Sequence, residues 1–225
     1  MKKILCGIAL VGASTAAQAQ ISTGTTLFSG SIGYSSQQTE NTSTFPNSVN
    51  REVTSEQFDF SPSVGYFFAN NLALGVTAGA TLSREQTDDY RDPYSSYYVM
   101  GIDRKTRTLS GGVFARYYTF VGDKVALYGQ LGGGYQNLYL SGYQNGLNYN
   151  YSNRLQGFYA NLTPGIVFFP IDKLGLELTL RGASYTRLTD KNEVGSYEDR
   201  STNSRFEFGF GLSDLRLGAS FYLGR

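Results

Sequence analysis

The chain contains no histidine, and its single cysteine, Cys6, lies near the amino terminus. Ser/His/Asp catalysis and imidazole-held metals are excluded on that ground, and all-oxygen sites are the only metal chemistry left. Long apolar runs are missing too. Beyond the first residues no window approaches 18 consecutive apolar positions, which excludes membrane-spanning helices. Charge is sparse and balanced, 19 Lys+Arg against 18 Asp+Glu. Such a chain has no net basic field for nucleic acid.

What is present begins with a leader. Met1-Lys2-Lys3 is cationic, Ile4 to Ala13 is a short apolar core, and Ala17-Gln18-Ala19 offers small residues to a signal peptidase. The pattern predicts a signal peptide over 1–19, cleaved before Gln20. An anchor would need about 20 apolar residues. A lipoprotein signal would place its cysteine after the apolar run, whereas Cys6 opens it. Without the leader the chain has no thiol and holds 17 cations to 18 anions. No linker divides residues 20–225, so one domain is expected.

The 27 glycines, 18 tyrosines and 15 phenylalanines point to strands. Between Gln57 and Phe68, residues Phe58, Phe60, Val64, Tyr66 and Phe68 share one face, and Gln57, Asp59, Ser61, Ser63 and Gly65 the other. After Ala69-Asn70-Asn71 the alternation resumes from Leu72 to Leu82. The same hairpin recurs at 109–118 with 125–139 and at 158–169 with 174–185. Each has an aromatic pair before the short turn: Phe67-Phe68, Tyr117-Tyr118 and Phe168-Phe169. With a first strand near 27–35 and a last ending near Leu223, the count is eight. Long polar connections are expected at 37–55, 84–105, 141–154 and 186–204, all at one end.

Three features choose the orientation of the faces. Every lysine after the leader (Lys105, Lys124, Lys173, Lys191) lies in a loop or turn or at its edge. Gly, Ser, Thr and Ala dominate the polar face, as a narrow lumen requires. Tyr and Phe gather near the short turns, where an interfacial girdle belongs. The fold class read from this is all-β, an eight-stranded antiparallel up-and-down transmembrane β-barrel, integral to a cell outer membrane.

Gly112-Val113-Phe114-Ala115-Arg116-Tyr117-Tyr118 followed by Gly122-Asp123-Lys124-Val125, then Pro164-Gly165 before Phe168, and Asp172-Lys173-Leu174, carry a resemblance. The chain resembles the small eight-stranded outer-membrane barrels, the porin-like family that includes OmpX, OmpW and the barrel part of OmpA, in the form found in Bacteroidota. The chain departs from that pattern at its end, where Phe221-Tyr222-Leu223 is followed by Gly224-Arg225 instead of closing on an aromatic residue. Pro62 and Pro164 fall inside strands and imply a bulge or a missing ladder bond. Barrel enzymes of that architecture, such as lipid A deacylases, palmitoyl transferases, phospholipases and omptin-like proteases, rely on histidine. The resemblance therefore implies no catalytic residue and no cofactor here.

Asp59, Arg107, Arg116, Glu177, Arg181 and Arg216 are read as sharing the polar parity. Counted up from the short turns, Arg116, Glu177 and Tyr128 fall at one level, and Asp59, Arg181 and Arg216 about four residues higher. Buried charges must pair, so these residues are expected to form a lumen polar network, either a structural plug or a gate. In the last strand the apolar parity switches between Leu212 and Leu215, which places a bulge near Ser213-Asp214. Asp88-Asp89 with Asp92 lacks a calcium-loop spacing, and no metal site is expected. The sequons at Asn41 and Asn161 are read as chance.

Two functional classes survive. One is a monomeric structural or surface-binding protein whose Tyr/Ser/Asn-rich connections meet an extracellular ligand. The other is a narrow porin-like channel for small or apolar solutes. Phe67, Phe114, Tyr128, Tyr159 and Phe169 have inward parity, are assigned to the short-turn end, and favour the closed form. Arg84, Arg104, Arg107, Arg154, Arg187 and Arg205 lie near the long-connection bases and are candidate contacts for lipopolysaccharide phosphates.

Overall fold

The computed structural model describes residues 20–41, 51–87, 90–91, 98–99, 101–144, 149–194, 197–209 and 215–225. Eight strands follow one another: β1 (Thr26–Asn41), β2 (Arg51–Ala69), β3 (Leu72–Thr87), β4 (Ile102–Phe120), β5 (Val125–Gln144) and β6 (Tyr149–Ile171). β7 is made of Leu174–Leu180 and Gly182–Val194, and β8 of Tyr197–Gly209 and Leu215–Leu223. Every strand is antiparallel to the next. The lower part of β8 pairs with β1 from Thr26↔Leu223 to Ile32↔Leu217, which closes the ring. The fold is all-β, antiparallel and up-and-down.

The connections at the upper end are much shorter than 37–55, 84–105, 141–154 and 186–204. β1 and β2 stay in register up to Asn41↔Arg51, and β5 and β6 up to Gln144↔Tyr149. A two-residue ladder, Tyr90–Arg91 with Tyr98–Val99, lies within the connection from β3 to β4. The apolar alternation stops at the top of the belt, but the ladder continues through polar residues because backbone pairing needs no apolar face. The Asp88-Asp89-Asp92 cluster, the leader at 1–19 and Ser213-Asp214 all lie outside the described residues.

Both prolines act on the ladder as their missing N–H requires. The β2–β3 register passes from Phe60↔Ala80 to Ser63↔Thr77 without Ser61 and Pro62. Opposite Pro164, β7 carries an extra residue at Arg181, and Gly182 takes up the bend with φ +68°. That bulge reverses the parity of β7: Leu176 and Leu178 face outward below it, and Tyr185 above it. β8 shows a larger displacement. It advances from Gly209 to Leu215 while its partner strand moves only from Gly182 to Leu180.

Outward residues form a continuous exposed apolar belt, including Phe28, Ile32, Phe60, Val64, Leu74, Val76, Leu131, Leu162 and Leu217. Aromatics rim it at both ends, Tyr66, Phe68, Tyr117 and Phe168 below and Tyr34, Phe58, Tyr139 and Phe158 above. The three aromatic pairs at the short turns are divided between the two faces. Phe68, Tyr117 and Phe168 join the belt, while Phe67, Tyr118 and Phe169 are buried inside the barrel. β6, with 23 residues, outruns the roughly 9–11 that a spanning strand needs, so the barrel rises above its belt.

Candidate functional site

The lower lumen is a sealed core. Phe67, Tyr118, Phe120, Val167, Phe169 and Tyr222 fill it, with ring centroids 5.2–6.3 Å apart. Gln20–Thr25, the segment before β1, runs under this core and adds Ile21, which has no exposed surface. Ile21 N donates to Asn71 Oδ1 at 2.9 Å, and Asn71 N donates back to Ile21 O at 3.0 Å. Asn71 provides both groups because it accepts a left-handed conformation, φ 62°, at the β2–β3 turn. Arg225 closes the other side of the mouth, its guanidinium 4.2 Å from the Phe169 ring centre and bonded to Asp172 O. Sequence reasoning missed Ile21, Tyr118 and Tyr222 as parts of this seal. The signal for the last two was their parity, since Tyr117 and Phe221 face outward.

Directly above the seal, Arg116 Nη1 donates to Glu177 Oε1 at 2.9 Å and to Tyr118 OH at 3.1 Å, and Nε to Gln130 Oε1 at 2.8 Å. Tyr128 OH donates to Glu177 Oε2 at 3.1 Å and shares a 2.7 Å bond with Thr179 Oγ1. The Tyr128 ring lies under the guanidinium at 4.5 Å. Below, Tyr222 OH donates to Tyr118 OH, linking pair and seal. Small residues make the space: a Cβ on Gly165 would collide with the Tyr128 ring, and one on Gly75 with Phe114. Every charged group here has a partner, the condition under which a buried pair is tolerated.

Above this cage the lumen opens. A cavity of about 210 Å³ rests on Arg116, Tyr128 and Glu177, with walls of Ser, Thr, Gln and Asn. A second, of about 320 Å³, shares Asp59, Gln136, Asn161 and Arg216 with it and adds Arg181, Ser184 and Glu207. Asp59 Oδ1 accepts from Thr81 at 2.7 Å and Oδ2 from Gln57 at 2.8 Å, and Arg216 stands 3.7 Å away. Tyr159 lines these cavities and does not join the seal. Asn161 of the second sequon also faces the lumen.

The candidate lipid-facing arginines separate by face. Arg107 lies on the outward parity of β4 with Leu109, Val113 and Tyr117, so it does not belong to the polar face. The β4 alternation assigns every odd residue outward, and Arg107 is odd. Arg84 and Arg154 share the outward parity of Leu82 and Phe158, and Arg187 that of Tyr185. Arg104 and Arg205 have inward parity, and Arg205 pairs at 3.6 Å with Glu207, a vestibule residue. Arg84 donates to both oxygens of Asp103, at 3.1 and 2.8 Å, and this bond holds the Asp103 carboxyl below its usual range. Arg154 bonds Asn137 and stacks over Tyr139 at 5.1 Å.

No family model matches the chain, and no curated protein matches it. Among solved structures it is similar to Ail, the attachment invasion locus protein of Yersinia pestis, in complex with the heparin analogue sucrose octasulfate. Identity is 16%, covering 89% of this chain and 99% of that one, with a TM-score of 0.39. It is also similar to Neisserial surface protein A, at 14% identity over 88% and 97% with a TM-score of 0.38. The outer membrane protein OprG from Pseudomonas aeruginosa aligns at 13% identity over 91% and 98%, with a TM-score of 0.45.

Proposed function

We propose that the protein is a monomeric integral outer-membrane barrel, exported by a cleaved leader at 1–19, with a structural or surface-interaction role and no open pore. The observation that carries this is the pairing of an apolar outer belt with a sealed base: exposed Phe, Leu, Val and Tyr encircle the sheet while Ile21, Tyr118 and Tyr222 are fully buried at its short-turn end. A surface of that composition needs lipid, and a closed sheet leaves no unpaired backbone within it. The upper connections within 37–55, 84–105, 141–154 and 186–204 would meet an extracellular ligand, and Arg84, Arg107 and Arg154, the outward arginines of β3, β4 and β6, would meet lipopolysaccharide phosphates. No enzymatic role is proposed.

The polar cavities above Arg116 favour a second reading, a channel whose gate is the Arg116–Glu177 cage. Planar-bilayer recording separates the two. The closed barrel predicts no stable conductance steps, and porin-like steps from the unaltered protein would put the channel first. Membrane insertion is tested apart from conductance, by comparing the gel mobility of unboiled and boiled samples. Identical mobility would overturn the barrel reading itself.

A further inference from the structure

Two concave patches mark the outer surface. One, of about 930 Å³, is lined by Phe28, Ile32, Phe60, Val64, Leu217 and Phe221 beside small residues, with no charged side chain. The other, of about 720 Å³, lies higher, across β1 to β5. Its floor is Tyr34, Phe58, Leu82, Leu109 and Tyr139, and its rim sets Arg84, Lys105 and Arg107 against one carboxylate, Glu56.

We propose that the upper groove is a discrete site for one lipopolysaccharide molecule, a lipid A phosphate resting on Arg107 and Lys105 and an acyl chain on the apolar floor. The inference rests on the outer-membrane reading above and deepens it from a belt of lipid to one bound molecule.

The three cations differ in what they have left to offer. Arg84 is committed to both oxygens of Asp103. Lys105 stands 3.9 Å from that same carboxylate, with 63% of its side chain exposed. Arg107 makes no ion pair or side-chain hydrogen bond among the described residues, yet it is in register between Leu82 and Tyr139, two residues of the groove floor. A guanidinium set in an apolar, lipid-facing row is well matched by an anion that arrives with its own apolar part. A phosphate matches the guanidinium fork, and the attached acyl chains match the floor. The lower patch has the floor without the cations and offers such a lipid nothing to hold its headgroup. Arg187 supplies the contrast, an outward arginine paired in register with Phe158 and Ser204 and outside the groove.

The test is native mass spectrometry of the purified protein in detergent, titrated with rough lipopolysaccharide, with the same lipid dephosphorylated, and with phosphatidylglycerol. The expected result is a 1:1 complex with lipopolysaccharide, weakened about a hundredfold by Arg107→Gln with Lys105→Gln, since each of the two charge-assisted bonds is worth about tenfold. Dephosphorylation should weaken binding comparably, and Arg187→Gln should leave it unchanged. Full binding by the double variant, an equal loss in Arg187→Gln, or equally tight phosphatidylglycerol would each overturn the site. A protein that shows the heat-dependent gel shift but binds no lipopolysaccharide overturns the site alone. One that shows no shift overturns the membrane reading with it.

Discussion

Arg116 and Glu177 meet at 2.9 Å with 6% and 5% of their side chains exposed, whereas Arg216 and Asp59 stand 3.7 Å apart with 37% and 13% exposed. The chemical groups are the same and the lumen is the same. The difference is the floor. The lower pair forms the bottom of the first polar cavity and is packed onto a layer of aromatic rings, whereas the upper pair stands in the walls of both cavities. Coulomb attraction grows as the local dielectric falls, and so does the cost of leaving either charge alone. Ion pairs at two levels of one lumen should therefore respond quite differently to the same substitution.

The largest effect is expected at the lower level. Glu177→Gln leaves Arg116 buried without its counter-charge, which typically costs about 3–5 kcal/mol. Urea unfolding followed by the folded-to-unfolded gel shift would measure it, and a loss below about 1 kcal/mol would erase the distinction between the two pairs. A sharper form removes both charges. Arg116→Met with Glu177→Leu should destabilise less than Glu177→Gln alone, because an apolar pair leaves no orphaned charge.

The seal beneath that pair is the next point of attack. Ile21 is fully buried on a segment anchored by two hydrogen bonds to Asn71. Ile21→Ala should cost about 2 kcal/mol, toward the low end for such truncations because a terminal segment can settle into the gap. If water then reaches Arg116, the amide protons of β4 near Tyr118 should exchange faster. Unchanged stability together with unchanged exchange would mean that the segment seals nothing.

Strand number, order and the inward side of most positions were legible in the sequence, because a period of two is a local property of each strand. The Leu72–Leu82 alternation and the burial of Glu177 and Arg116 come from that arithmetic. Features that depend on a neighbouring strand were not legible. The β7 bulge arises because Pro164 on β6 withholds a donor; Pro164 itself implies an irregularity there, but only Gly182 marks which residues of β7 take it up. The polar parity read for Arg107 is the exception, since it shares the odd, outward parity of Leu109, Val113 and Tyr117. The extent of the upper strands was hidden for a related reason: polar residues extend a ladder without leaving an apolar trace. Ile21 precedes every strand, so no periodicity could have assigned it to the core.

At the upper level the expected effects are small. Asp59→Asn keeps one acceptor oxygen for Thr81 or Gln57, sets an amide donor in place of the other, and loses an ion pair that is 3.7 Å long and partly solvated. Such a pair is worth at most about 1 kcal/mol. Raising the salt concentration should shrink even that difference while leaving the Glu177→Gln loss unchanged, because screening acts only where ions can enter. A loss from Asp59→Asn as large as that from Glu177→Gln would show that the water-excluding layer extends above the cavities, and the comparison would fail.

The smallest effect lies outside the lumen, where Arg84 and Asp103 face solvent above the belt. The bidentate bond holds the Asp103 carboxyl below its usual range. A carboxyl whose folded value lies below its unfolded one stabilises the fold fully above the ordinary aspartate value of about 3.9 and loses that contribution only as pH falls through the lower folded value. Between neutral pH and the ordinary aspartate value the contribution of this contact should therefore stay constant, and it should fade only in stronger acid. Carbon-13 titration of Asp103 should show a midpoint below that of a free aspartate, and Arg84→Gln should bring it back to the ordinary value. A midpoint that ignores Arg84→Gln would mean that the carboxylate is held by Lys105 alone. Arg84 would then be released to join Arg107 on the rim of the outer groove.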